Sequence, residues 1–189
     1  AFKDINDDGV KDVFIGGRAA ELIAIDGKSG NVIWRFIKSE SDRKDWFNFY
    51  NPQFIPDQNN DGLEDILVSN GGDIKVAAHD PNRRPGFLLI IDSTNGEVIS
   101  KAAMPDGKEI YMSVSVLPHD SSDFRNVIYG TGGETIGGSL YVASIADILS
   151  EDLSGSVKLV SSADKGFIGP AVWVDINEDG IHDIVASSV

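Results

Sequence analysis

One nine-residue pattern occurs three times in this chain and constrains what it can fold into more than any other feature. It reads Asp4-Ile-Asn-Asp-Asp-Gly-Val-Lys-Asp12, then Asp57-Gln-Asn-Asn-Asp-Gly-Leu-Glu-Asp65, then Asp175-Ile-Asn-Glu-Asp-Gly-Ile-His-Asp183. Oxygen-bearing side chains recur at positions 1, 3, 5 and 9, with Gly at position 6 and an apolar residue at position 7. Side-chain oxygens at alternate positions converge as such a loop wraps, Gly permits the sharp turn, and the position-7 carbonyl faces the same centre. That arrangement suits a hard cation, and a flexible carboxylate and carbonyl cage favours calcium over the smaller, stricter magnesium. An EF-hand shares the first half of the pattern but needs a bidentate Glu at position 12. Here Ile15, Val68 and Ala186 stand there, so an EF-hand is excluded. A single Asp/Asn/Gly cluster is usually a solvated turn; three in the same context call for a shared purpose.

That context is β-structure. Each ninth-position Asp leads into a short apolar run, Val13–Ile15, Ile66–Val68 or Ile184–Ala186, which reads as a buried strand. The motif starts lie at residues 4, 57 and 175, so the gaps are 53 and 118 residues. The second gap is about two periods, which places a degenerate copy at Leu117–Asn126. This copy precedes Val127–Tyr129 and has lost the Gly, with Phe124 and Arg125 where intact loops carry Gly and the carbonyl ligand. It is expected to bind no metal. Between motifs, Glu21–Asp26 runs through Gly27–Gly30 into Asn31–Phe36, and Phe87–Asp92 runs through Ser93–Gly96 into Glu97–Ser100. Each is a hairpin closed by a Gly-containing turn. These hairpins are offset by 66 residues, 13 more than their loops, and the difference matches an insertion over Asp73–Pro85 that carries Arg83 and Arg84. A third pair, Ser139–Ser144 and Val157–Val160, has a longer polar connection with room for a helical turn.

Strand, loop, strand, strand, turn, strand in a repeat of this length is the arithmetic of a β-propeller blade. The expected fold is therefore all-β, a propeller of four-stranded antiparallel blades at about 1–49, 50–109, 110–165 and, in part, 166–189. Both ends carry the same portion of a blade, so they duplicate rather than complete each other, and the chain is expected to be a portion of a larger propeller. The unit resembles the FG-GAP (also called VCBS) repeat, the calcium-binding blade of integrin α-subunits and of many secreted bacterial proteins. Phe167-Ile-Gly-Pro-Ala171 resembles the segment that names it, and the hairpin Leu22–Trp34 is similar to quinoprotein-like blades. The resemblance implies three calcium sites. Their ligands would be Asp4, Asn6, Asp8, Asp12 and the Val10 carbonyl; Asp57, Asn59, Asp61, Asp65 and the Leu63 carbonyl; and Asp175, Asn177, Asp179, Asp183 and the Ile181 carbonyl.

Charge narrows the function. A net charge of −14 argues against nucleic-acid binding, which needs a basic face, and no run is long and apolar enough to span a membrane. Cysteine is absent, so no disulfide framework exists and the vicinal Cys pair common in quinoprotein dehydrogenases is missing. His79, His119 and His182 share no metal-ligand spacing. The Gly-rich stretch Gly130–Gly138 runs from strand to strand rather than into a helix, so it is a turn and not a phosphate cradle, with Glu134 as an outlying site candidate. Trp46, Phe47, Phe49 and Tyr50 read as packing between units, with a glycan- or partner-binding platform as the alternative. The leading expectation is a non-catalytic, calcium-stabilised scaffold or binding module for protein or glycan. It would act outside the cell, at its surface or in the periplasm, within a larger surface complex. A propeller enzyme (quinone-dependent dehydrogenase or polysaccharide lyase) and a lectin are the alternatives. Arg83 and Arg84 are the expected positive feature for an acidic partner.

Overall fold

The computed structural model describes residues 1–117 and 126–189 of the chain. The strands are β1 (Phe2–Lys3), β2 (Asp12–Gly16), β3 (Leu22–Ile25), β4 (Val32–Arg35), β5 (Asn48–Phe49), β6 (Gln53–Ile55), β7 (Asp65–Gly71), β8 (Phe87–Ile91) and β9 (Val98–Ala103). They continue as β10 (Ser115–Val116), β11 (Val127–Gly130), β12 (Gly138–Ala143), β13 (Val157–Ser162), β14 (Val172–Val174) and β15 (Asp183–Val185). The one α-helix among the described residues is α1 (Ile145–Leu149). The protein is all-β, and its strands form four antiparallel sheets.

Within each sheet the strands pair in chain order. The first sheet is β1-β2-β3-β4, the third is β10-β11-β12-β13, and β14-β15 form the last. In the second, β5 and β6 both pair with β7, which is followed by β8 and β9. Asn48 pairs with Gly71 and Phe49 with Asn70, whereas Gln53–Ile55 pair with Leu67, Ile66 and Asp65. β5 and β6 are thus one edge strand interrupted at Pro52, which lacks the N–H that a ladder needs. The second sheet accordingly begins at Asn48, two residues ahead of the approximate boundary at 50. The register shifts at Ala24/Ile25, Ile90/Ile91 and Leu140/Tyr141, so the same irregularity recurs in the third strand of three sheets.

The sheets pack in chain order through two apolar layers. Phe14, Leu22, Ala24 and Trp34 of the first sheet meet Ile66, Val68, Leu89 and Ile91 of the second. The alternate residues Leu67, Leu88 and Ile90 point the other way, into a layer shared with Ile128, Leu140 and Tyr141 of the third sheet and extended by Phe167 and Ala171. Period-two alternation therefore explains why β7 and β8 read as unbroken apolar runs: both faces are buried. Trp34 ties the first sheet to the second, its indole N–H donating to the Ser93 carbonyl at 2.8 Å. Gly96, at φ +77°, lies under that ring, and a Cβ there would stand 2.7 Å from it. Gly96→Ala is expected to cost about 2 kcal/mol or more, combining left-handed strain with overpacking; chemical denaturation would measure it, and a neutral result would refute the tight fit.

The expected hairpins are present with matched turns. Gly30 and Gly96 N–H groups donate to the Asp26 and Asp92 carbonyls at 2.8 and 2.9 Å. In the third sheet α1 replaces the tight turn. Its start is a capping box in which Ser144 and Asp147 exchange side-chain bonds with each other's backbone N–H at 3.0 Å, and Ile148 is buried against β8 and β9. Residues 118–125 of the degenerate copy, His119 among them, lie outside the described residues. Leu117 and Asn126, which frame it, are bonded N–H to carbonyl at 2.8 Å. Among the described residues no helix is long and apolar enough to cross a membrane.

Candidate metal centre

Each intact loop joins the first two strands of a sheet: β1 to β2, β6 to β7, and β14 to β15. Its ninth-position Asp is the first residue of the second strand, so the ladder fixes that carboxylate at the base of the loop. The loops share one conformation. Position 4 is left-handed in all three (Asp7 at φ 58°, Asn60 at 64°, Glu178 at 61°), and so is the Gly at position 6. A Cβ at Gly9, Gly62 or Gly180 would meet nothing within 4 Å. Glycine is there for its φ, not for space.

The hydrogen bonds repeat with the same fidelity. The Gly N–H donates to the first Asp at 2.8 Å in every loop (Gly9 to Asp4, Gly62 to Asp57, Gly180 to Asp175). The position-7 N–H donates to the fifth-position Asp: Val10 to Asp8 at 2.9 Å, Leu63 to Asp61 and Ile181 to Asp179 at 2.8 Å. The position-5 N–H donates to the Asn at position 3, at 3.1, 2.9 and 3.1 Å for Asn6, Asn59 and Asn177. The position-2 N–H donates to Oδ2 of Asp12, Asp65 or Asp183 at 2.9, 2.7 and 3.0 Å. These four bonds recur in all three loops; the loops differ at Oδ1 of the first Asp, which accepts the position-5 N–H in the first and third (3.3 and 3.1 Å) and the Asn59 and Asn60 N–H groups in the second (3.1 and 2.7 Å). Among the described residues, no three Asp, Glu or His side chains stand together in ligand geometry; most of the loop carboxylate oxygens accept N–H groups of their own loop.

The donor set is of the kind that suits a hard cation, and in the second loop one of its oxygens is left unanswered. Asp65 is buried, and its Oδ1 has no hydrogen-bond partner. An acceptor-only group left so is costly unless something positive answers it. In the first loop the matching Asp12 Oδ1 accepts the Gly27 N–H at 3.0 Å. Burial pushes the Asp65 carboxyl above its ordinary range; the Gln58 N–H opposes this, and the charges of Asp92, Asp61 and Asp57 add to it. Asp57, by contrast, is held low, chiefly by the Gly62 N–H. Sequence reading missed Asp92, which closes the next hairpin yet acts on Asp65; its match with Asp26 in the first hairpin was the available signal. Lys28, from that first hairpin, lies 3.8 Å from Asp8.

The insertion departs from expectation. Arg83 is not an exposed positive feature: it is turned inward, 2.7 Å from Glu109, with both side chains largely buried. The Arg83 guanidinium also donates to Tyr111 at 3.1 Å and to the Val76 carbonyl, while Tyr111 donates to Glu109. Burial works to lower the Arg83 pKa, but the bond and charge of Glu109 outweigh it and the pKa rises. Burial first, then the Glu109 bond, pushes the Tyr111 hydroxyl up to about 12. Arg84 is half-exposed and lies over the Phe47 ring at 4.4 Å. The reason is local desolvation: an insertion laid across a buried Glu109 must bring a cation to it. Glu109 and Tyr111 escaped sequence reading because they lie well beyond the insertion in the chain.

The aromatic cluster packs inward. Phe36 contacts Trp46 and Phe49 edge-on at 4.8 and 4.7 Å, Phe47 stacks on Phe87, and Lys101 sits over both the Trp46 and Phe87 rings. The Gly-rich stretch is the β11–β12 connection, where Gly137 and Gly138 have no room for a Cβ against the Ala163 and Thr131 carbonyls. Glu134, His79 and His182 are exposed. Comparison with family models, curated proteins and solved structures finds no match for this chain.

Proposed function

We propose that the chain is a calcium-stabilised portion of a β-propeller that serves as a non-catalytic scaffold or binding module for protein or glycan outside the cell or at its surface. The observation that carries the reading is the threefold loop: the same nine positions, left-handed backbone at the same two of them and four hydrogen bonds in common, each at the first turn of a sheet. Asp65 Oδ1, buried and without a donor, is the atom that a cation would answer. The residues that would hold the ions are Asp4, Asn6, Asp8 and Asp12; Asp57, Asn59, Asp61 and Asp65; and Asp175, Asn177, Asp179 and Asp183, with the carbonyls of Val10, Leu63 and Ile181. When bound, calcium would screen clustered carboxylates and fix the loop between the first two strands.

Two further features support a larger ring. Three consecutive four-stranded meanders stack face to face in chain order. The outward faces of the first and last sheets are apolar, with Phe2 65% exposed and Val172 56% exposed, and flanking blades would cover them. Weak calcium sites of this kind fill at about 10⁻⁴ to 10⁻³ M free ion, a level met outside cells. Titration calorimetry on the chelated protein should register calcium uptake at three sites. A flat titration up to about 10 mM, ten times the weak limit for such sites, would remove the proposal.

A further inference from the structure

In an antiparallel meander, the first and third turns of each sheet lie at one end, and the second turns lie at the other. The metal loops and hairpins occupy the first end. At the opposite end the second turns of three sheets meet: the loop carrying Arg18, the 73–85 insertion, and the β11–β12 connection. With the link between β9 and β10 they border an open cavity of about 560 Å³, within the size range of small-ligand sites. Its wall carries four basic side chains (Arg18, Arg83, Arg84 and Lys108) against three acidic ones. On a chain of net charge −14 that is a local reversal of sign.

Not all of these charges are engaged internally. Glu109 is consumed by Arg83, Tyr111 and the Asp73 N–H. The Arg18 guanidinium has no hydrogen bond or ion pair among the described residues, and Lys108 spends its ammonium on one carbonyl, that of Gly137, at 2.6 Å. Arg83 Nε is buried with no acceptor. Glu134 is engaged only through its backbone carbonyl, which accepts from the Lys165 ammonium, and this leaves its exposed carboxylate open. The rest of the lining, including Tyr111, Ile136 and Ile168, supplies apolar surface.

We infer that this cavity binds an acidic sugar, a uronate monosaccharide or disaccharide. The chemistry follows the unspent groups: a planar guanidinium takes a carboxylate bidentately, a free carboxylate accepts vicinal hydroxyls, and ring and aliphatic side chains cover the C–H face of a pyranose. Net positive lining selects the acidic sugar over a neutral one. The inference goes beyond the calcium scaffold and does not rest on it, since the cavity and the metal loops lie at opposite ends of the sheets.

The test is calorimetric titration of the full chain, in calcium and again in chelator, with glucuronate and galacturonate and their unsubstituted dimers. Glucose, galactose and acetate serve as comparators. Saturable uronate binding with a Kd of about 1 mM or tighter is expected, with neutral sugars and acetate at least about tenfold weaker. Arg18→Gln and Glu134→Gln should each weaken it about tenfold while leaving the melting temperature unchanged, because both side chains are exposed. No saturable uronate binding overturns the site. Equal binding of acetate or of neutral sugars overturns the ligand class, and uronate binding indifferent to both variants overturns the location. Calcium binding is read separately from the ion titration, so either proposal can fail without the other.

Discussion

Calcium at a hundred times its dissociation constant is expected to stabilise the folded chain by about 2.7 kcal/mol for each occupied loop, since an ion that binds only the native state shifts the equilibrium by mass action. With three loops the melting temperature in calcium should stand well above that in chelator, and the gap should grow with calcium concentration. Asp61→Ala separates this from a general salt effect. Asp61 is exposed and accepts the Leu63 N–H at 2.8 Å and an Asn59 Nδ2 contact at 3.2 Å. In chelator its loss removes little more than those exposed bonds, about 1 kcal/mol at most. In calcium it should also remove one site's contribution, so the variant's deficit should be about 2.7 kcal/mol larger there. Thermal melts of both proteins with and without chelator measure the four numbers. An equal deficit in both conditions would mean that Asp61 holds no ion.

Why those loops are readable from sequence while other features are not has a physical basis. A loop that needs left-handed backbone at position 6 and oxygens at alternate positions leaves a strict local mark. Gly9, Gly62 and Gly180 and their flanking carboxylates carry it within nine residues. The strands after each loop and the Gly30 and Gly96 turns are equally local. Legibility ends where a residue's environment is set by distant chain. Nothing near Arg83 announces that Glu109 waits beneath it, so two adjacent arginines read as an exposed patch when one is buried. The edge strand of the second sheet is broken at Pro52, and its first half lies beyond the apparent start of the unit; Asn70 holds it there by bonding the Phe47 N–H and carbonyl at 3.1 and 3.0 Å. The different surroundings of Asp12 and Asp65 come from a third-turn residue, Gly27, whose N–H reaches one and has no counterpart at the other.

Removal of Glu109 should be among the most damaging single changes outside the apolar core. Its carboxylate sits at the junction of β9, β10 and the insertion. It receives Arg83 at 2.7 Å, the Asp73 N–H at 2.5 Å and the Tyr111 hydroxyl. Glu109→Ala leaves a largely buried guanidinium with no counter-charge, a situation that costs about 3–5 kcal/mol. The pair itself carries much less net stability than that, because both ions were desolvated to make it. Arg83→Met/Glu109→Met should therefore be markedly more stable than Glu109→Ala alone, although Tyr111 and Asp73 still lose an acceptor. The same contrast decides how the insertion is held. If it is anchored through this pair, Glu109→Ala should raise protease cleavage within residues 73–85, and the double Met variant should lower it again. Cleavage equal in the wild type and in Glu109→Ala would mean that Arg84 on Phe47 and the loop's own turns suffice to hold the segment. Denaturant midpoints and limited proteolysis of the three proteins give both answers, because an uncompensated buried cation weakens the whole fold and its local anchor together.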